Sequence, residues 1–247
     1  MQKYKLAIVF ISLSVTASAQ AHVDAMPYVS NNRLFTGSAS FEEPDITTPV
    51  SYDQRVFGAE FGEDDVSQPF FTEDPGFLAP TGALPGGAGK KLGFNVLDGL
   101  KYWDGTGAVN FGAVPSGESM YISLGSQHTQ VSTSPVPGFG FTIGANEGLH
   151  DHLDWLLFGS DNNPIPGDGI EPATGVYLLQ MELWTTIPGV ASSDPIWFVY
   201  NNHVSEDVHD AAVDWVTATY TPEPASCLMF LVGGSIALVR RRAARTA

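Results

Sequence analysis

The chain has a single cysteine, Cys227, and it lies in an apolar run near the C-terminus. A disulfide framework within the chain is therefore excluded, and stability must come from packing or from a bound metal. Basic residues are also scarce: 11 Lys and Arg stand against 27 Asp and Glu, a formal net charge of −16. Six of those bases sit at the ends, Lys3 and Lys5 at one and Arg240, Arg241, Arg242 and Arg245 at the other. Residues 22–224 hold all 27 acids against only Arg33, Arg55, Lys90, Lys91 and Lys101, a formal charge of −22. Such a field repels phosphate backbones, which excludes nucleic acid as a partner, and it attracts cations. No apolar run reaches the roughly 20 residues of an ordinary membrane-spanning helix.

Enzyme signatures are missing as well. "GGAGKK" has Leu84 where a phosphate loop needs its first glycine, and Lys91 where it needs Ser or Thr for magnesium. Neither G-x-S-x-G nor H-E-x-x-H occurs. Carboxylates are so frequent that no pair stands out as a glycosidase couple. The chain reads as a non-enzyme.

What is present at the termini is more specific. Lys3 and Lys5 precede an apolar core from Leu6 to Val15, and small residues end in Ala19-Gln20-Ala21. This is the three-part pattern of a secretory signal peptide over residues 1–21, cut after Ala21 by signal peptidase. At the other end, Pro222, Glu223 and Pro224 lead into the apolar stretch Ala225 to Val239 and then into Arg240, Arg241 and Arg242. As a helix those 15 residues reach only about 22 Å, short of the roughly 30 Å hydrocarbon core. The arginines would hold the far end in the cytoplasm by the positive-inside rule. A short span of this kind suits a temporary tether.

A Pro-Glu-Pro triplet, a short apolar helix and an arginine cluster in that order resemble the PEP-CTERM sorting signal of Gram-negative bacteria. The resemblance covers residues 221–247 and implies processing by exosortase, a membrane-embedded cysteine protease-transpeptidase. It implies export through the inner membrane, a transient tether, and release to the cell envelope, biofilm matrix or exterior. The body is loosely similar to uncharacterised PEP-CTERM proteins in the segments "GVYLLQMEL" and "SDPIWFVYNN", some of which are associated with zinc-responsive regulation.

The exported body, residues 22–220, has the pattern of one mainly β domain. Short apolar or alternating runs such as "RLFTGSASF", "KLGFNVL", "SMYISLGS", "HLDWLLFG", "GVYLLQMELWTT" and "PIWFVYNN" are separated by Gly, Pro, Asn and Asp clusters. The spacing predicts a β-sandwich or jelly-roll-like domain. "GAVNFGAV" reads as a strand, and Phe41 to Pro85 as a long loop excursion with few strand signals. One short helix is predicted from Glu206 to Val216, capped by Ser205 and packed through Val208, Ala212 and Trp215.

Histidine is the informative functional residue. All six (His22, His128, His150, His152, His203 and His209) lie in the exported part. In "GLHDHLDW", His150 and His152 are two apart on a predicted strand, so both point to one face and can chelate zinc or copper. Two imidazoles make half a site, and a third ligand must come from His203, His209, His128 or a carboxylate. Cleavage after Ala21 would make His22 the mature N-terminus, with an α-amino nitrogen and an imidazole for one metal. That arrangement resembles the copper site of β-sandwich polysaccharide monooxygenases, although no other feature of that family is found. Trp103, Trp155, Trp184 and Trp197 are candidates for stacking on sugar rings, which would make exopolysaccharide a partner.

Overall fold

The computed structural model describes residues 23–42, 46–63, 65–163 and 165–221. The expected signal peptide, His22 and the expected sorting segment from Pro222 through Arg240, Arg241 and Arg242 lie outside the described residues, as does the expected apolar tail helix. Among the described residues, no helix is long and apolar enough to cross a membrane.

Among the described residues the chain is mainly β, with one helix at their C-terminal end. In order, the elements are β1 (Asp24–Ser30), β2 (Arg33–Glu42), β3 (Ile46–Ser51), β4 (Val56–Glu60), β5 (Phe71–Thr72), β6 (Phe77–Ala79), β7 (Lys91–Val96) and β8 (Lys101–Trp103). There follow β9 (Gly112–Ala113), β10 (Ser119–Leu124), β11 (Gln127–Val131), β12 (Val136–Thr142), β13 (Leu149–Asp151), β14 (Asp154–Phe158), β15 (Gly175–Thr185), β16 (Ile196–Asn202) and α1 (Glu206–Tyr220).

Three open sheets result. The first runs β13-β6-β1-β2-β3, the second β11-β10-β14-β5, and the third β12-β7-β15-β16-β4, with β8 on β15 and β9 on β8. Pairing is antiparallel except for β1 with β6 and β16 with β4.

The third sheet is covered on both faces, and its sequence shows it. Along β15, Tyr177, Leu179, Met181 and Leu183 turn into the main core, while Val176 and Leu178 turn toward α1. On β16, Ile196, Phe198 and Tyr200 face inward, and Trp197 and Val199 face the helix. A strand buried on both faces reads as a continuous apolar run, which is why these two are so plain in the sequence. The main core also takes Ala25, Leu34 and Phe77 from the first sheet and Met120, Ile122 and Trp155 from the second.

Several expectations need correction. The excursion from Phe41 to Pro85 carries β3, β5 and β6 beside the expected β4, and Phe70 and Phe77 are buried within it. β6 lies between β1 and β13. Two- and three-residue strands are too short to show a period, so they are invisible to patterning. "GAVNFGAV" forms only the two-residue β9. The opening strand β1 was not expected at all. Helix α1 starts at Glu206 as predicted but continues to Tyr220. Its buried residues are His209, Ala212 and Val216, a face turned from the expected one. Ser205 stands at the cap position, yet its hydroxyl makes no capping bond; its carbonyl receives the Val208 and His209 N–H groups instead.

Candidate metal centre

At one end of the first sheet the starts of β1 and β6 meet β13. The Ala25 N–H donates to the Gly76 carbonyl at 3.0 Å, and the Gly76 N–H donates to Asp24 Oδ1 at 2.7 Å. Asp24 is thus fixed at the head of β1, with its carboxylate almost fully buried. Burial pushes that carboxyl above its ordinary pKa, against the pull of the His152 imidazole and the Gly76 N–H.

Strand β13 is an edge strand paired to β6, with His150 opposite Leu78. The strand ends at Asp151, and His152 lies in the break before β14. Even so, the two imidazoles meet, Nε2 to Nε2, at 3.1 Å. His150 is supported by the ring of Phe41, 4.6 Å away between centroids. His152 directs Nδ1 at Asp74 Oδ1, 3.5 Å away, and at the Glu73 carbonyl, 3.2 Å away. Its Nε2 then faces His150 and Asp24 Oδ2, the latter at 3.8 Å.

These contacts set the chemistry. A proton on His152 Nδ1 is held by Asp74 and Glu73, which leaves Nε2 as the ligand atom. Asp74 first, then Asp24 and the Glu73 carbonyl, outweigh burial and raise the His152 pKa to about 9. Asp24, His150 and His152 bring one carboxylate oxygen and two imidazole nitrogens within 4.8 Å of one another. An N2O set of this kind suits zinc or copper.

Gly76 makes the approach possible. A Cβ there would lie 2.9 Å from both Cε1 and Nδ1 of His152 and 3.0 Å from Asp24 Oδ1. Any side chain would drive the two ligands apart.

The other expected residues lie elsewhere. His203 packs edge-on against Phe70, and His128 stacks on Tyr121. Neither belongs to a metal-ligating group among the described residues. The third residue that could ligate is Asp24, a carboxylate that no local pattern singled out, and Asp74 was missed as well. Their only link to "HDH" is the pairing of β1, β6 and β13.

Three of the four tryptophans expected as sugar platforms are buried. Trp155 is fully buried against Phe198 and Tyr200, and Trp103 and Trp197 are nearly so. Trp184 is spent on the third sheet, donating Nε1–H to the Phe94 carbonyl with its ring laid over Gly93 and Gly140. Beside His150 there is instead a groove of about 510 Å³, along which Thr47, Thr81, Thr142 and Asn146 are placed. No family model, no curated protein and no solved structure matches the chain.

Proposed function

We propose that this chain is an exported envelope or matrix protein, with a sandwich-like body that binds one zinc or copper ion through Asp24, His150 and His152. The observation that carries the metal reading is the 3.1 Å separation of the two Nε2 atoms, with the Asp24 carboxylate on the same spot. Two imidazole nitrogens at that distance need either a shared proton or a shared cation between them. The −22 charge of residues 22–224 raises the local concentration of cations. Export and exosortase sorting rest on the terminal patterns, and the sandwich reading on the core shared by the three sheets.

The test is calorimetric titration of the full chain with zinc and with copper, beside a His150→Ala/His152→Ala double variant. The native chain should bind an ion at this centre, and the double variant should bind one equivalent fewer. Equal affinity in both proteins would remove these residues from any site.

A second reading is favoured by the groove beside His150. Its threonines and Asn146 offer hydroxyl and amide partners of the kind a glycan hydroxyl takes, so exopolysaccharide is the macromolecule that fits there. Pull-down on exopolysaccharide should weaken when Asn146 and Thr142 are both changed to alanine.

A further inference from the structure

We propose that Glu60, Glu206 and His209 form a second divalent-metal site, at the junction of β4 and α1, independent of the centre at Asp24. The three offer two carboxylate oxygens and one imidazole nitrogen, all within 4.8 Å of one another. Glu206 and His209 are three residues apart in the first turns of α1, which puts both on one helix face. Glu60 is the last residue of β4, which pairs in parallel with β16 beneath that face.

The imidazole carries the inference. The His209 side chain is only 6% exposed, which is unusual for a polar ring without two partners. Its Nε2 donates to the Val199 carbonyl at 2.9 Å. In the neutral ring that bond fixes the tautomer, with the lone pair on Nδ1. Nδ1 makes no hydrogen bond: the Glu60 carboxylate is the group it faces, with Oε1 at 3.8 Å. That separation is too long for a hydrogen bond and lies within the roughly 4 Å that two atoms bound to one ion at about 2.0–2.2 Å each can span at a wide angle.

The surroundings are built to hold this arrangement. Gly58, register partner of Val199, leaves the room the ring occupies; a Cβ there would sit 3.1 Å from His209 Cε1. Asn201 donates to Glu60 Oε1 at 3.0 Å and orients the carboxylate from behind. The Glu206 carboxylate comes within 4.8 Å of the Glu60 carboxylate. Two carboxylates crowded in this way are eased by a shared cation as well as by a shared proton.

One nitrogen and two carboxylates make a harder donor set than the two imidazoles of the first centre. The site therefore takes manganese as well as zinc.

The experiment titrates the full chain with manganese chloride, followed by the loss of the free-ion paramagnetic resonance signal, and with zinc chloride by calorimetry. Native protein should bind manganese at one site, and Glu206→Gln and Glu60→Gln should each weaken that binding at least tenfold. Both variants keep side-chain volume and hydrogen bonding, so each is expected to fold. The His150→Ala/His152→Ala variant should retain the manganese site, so that failure of one centre is distinguishable from failure of the other. Unchanged manganese binding in both glutamine variants, or none in the native chain, would overturn the proposal.

Discussion

His150 and His152 meet nitrogen to nitrogen at 3.1 Å, although β13 ends between them. The alternation of a strand would suffice to bring them to one face, but the closing of the last ångströms is due to Asp74 and Glu73, which hold the far nitrogen of His152. In the absence of metal, a contact of that length between two imidazole nitrogens is a hydrogen bond through one shared proton.

The first prediction follows from that proton. His152 has its pKa raised to about 9 in the folded chain against an ordinary 6.5. Its contribution to the metal-free fold is then complete below about pH 6.5 and is lost as pH rises through about 9. Denaturant midpoints of native chain and His152→Gln, measured in chelator, should differ at pH 6 and converge at pH 10. A constant difference across that range would mean the imidazolium contributes nothing.

Metal binding should run the other way. An ion must displace the His152 proton, so zinc affinity should rise with pH up to about 9 and proton release should accompany binding. Calorimetry in two buffers of different ionisation enthalpy measures the released proton directly. Affinity independent of pH between 6 and 9 would exclude His152 as a ligand.

Gly76→Ala should damage the centre out of proportion to its size. The new Cβ would crowd His152 and Asp24 at about 3 Å, and overpacking of this kind costs about 1–3 kcal/mol. Gly112→Ala, whose Cβ would meet nothing within 4 Å, is the control. Zinc titration and thermal melts of the two variants should separate them clearly; equal behaviour would refute the close approach.

Trp155→Ala tests the junction of the second and third sheets. The ring is fully buried, 5.3 Å from Phe198 and 5.5 Å from Tyr200 between centroids. Truncation should cost about 3–5 kcal/mol, read as a lower denaturant midpoint with the slope unchanged. A loss below about 1 kcal/mol would mean that the two sheets do not depend on this contact.

The proposed export and processing can be checked by intact mass of the protein recovered from its native cells and medium. Residues 1–21 and the Arg240–Arg242 tail should both be absent. Retention of the arginines in most molecules would make the tail a simple membrane anchor.

What the sequence determined by itself is whatever depends on neighbours along the chain. β15 and β16 were legible because burial on both faces demands unbroken apolar runs, and α1 because Glu206 and Asp207 favour a helix start. The nearness of His150 and His152 was legible from their spacing of two, although β13 ends between them and Asp74 and Glu73 hold the His152 ring. Asp24 was not, since its role depends on β1 lying beside β6 and β6 beside β13, a relation between distant segments. The same holds for His209. Its spacing placed it on α1, but only the packing of α1 over Gly58 and Val199 buries the ring and turns Nδ1 to Glu60. Local pattern chooses the elements because it acts within a few residues. Ligand sets belong to the tertiary structure, because a metal gathers atoms by distance in space and takes no account of separation in the chain.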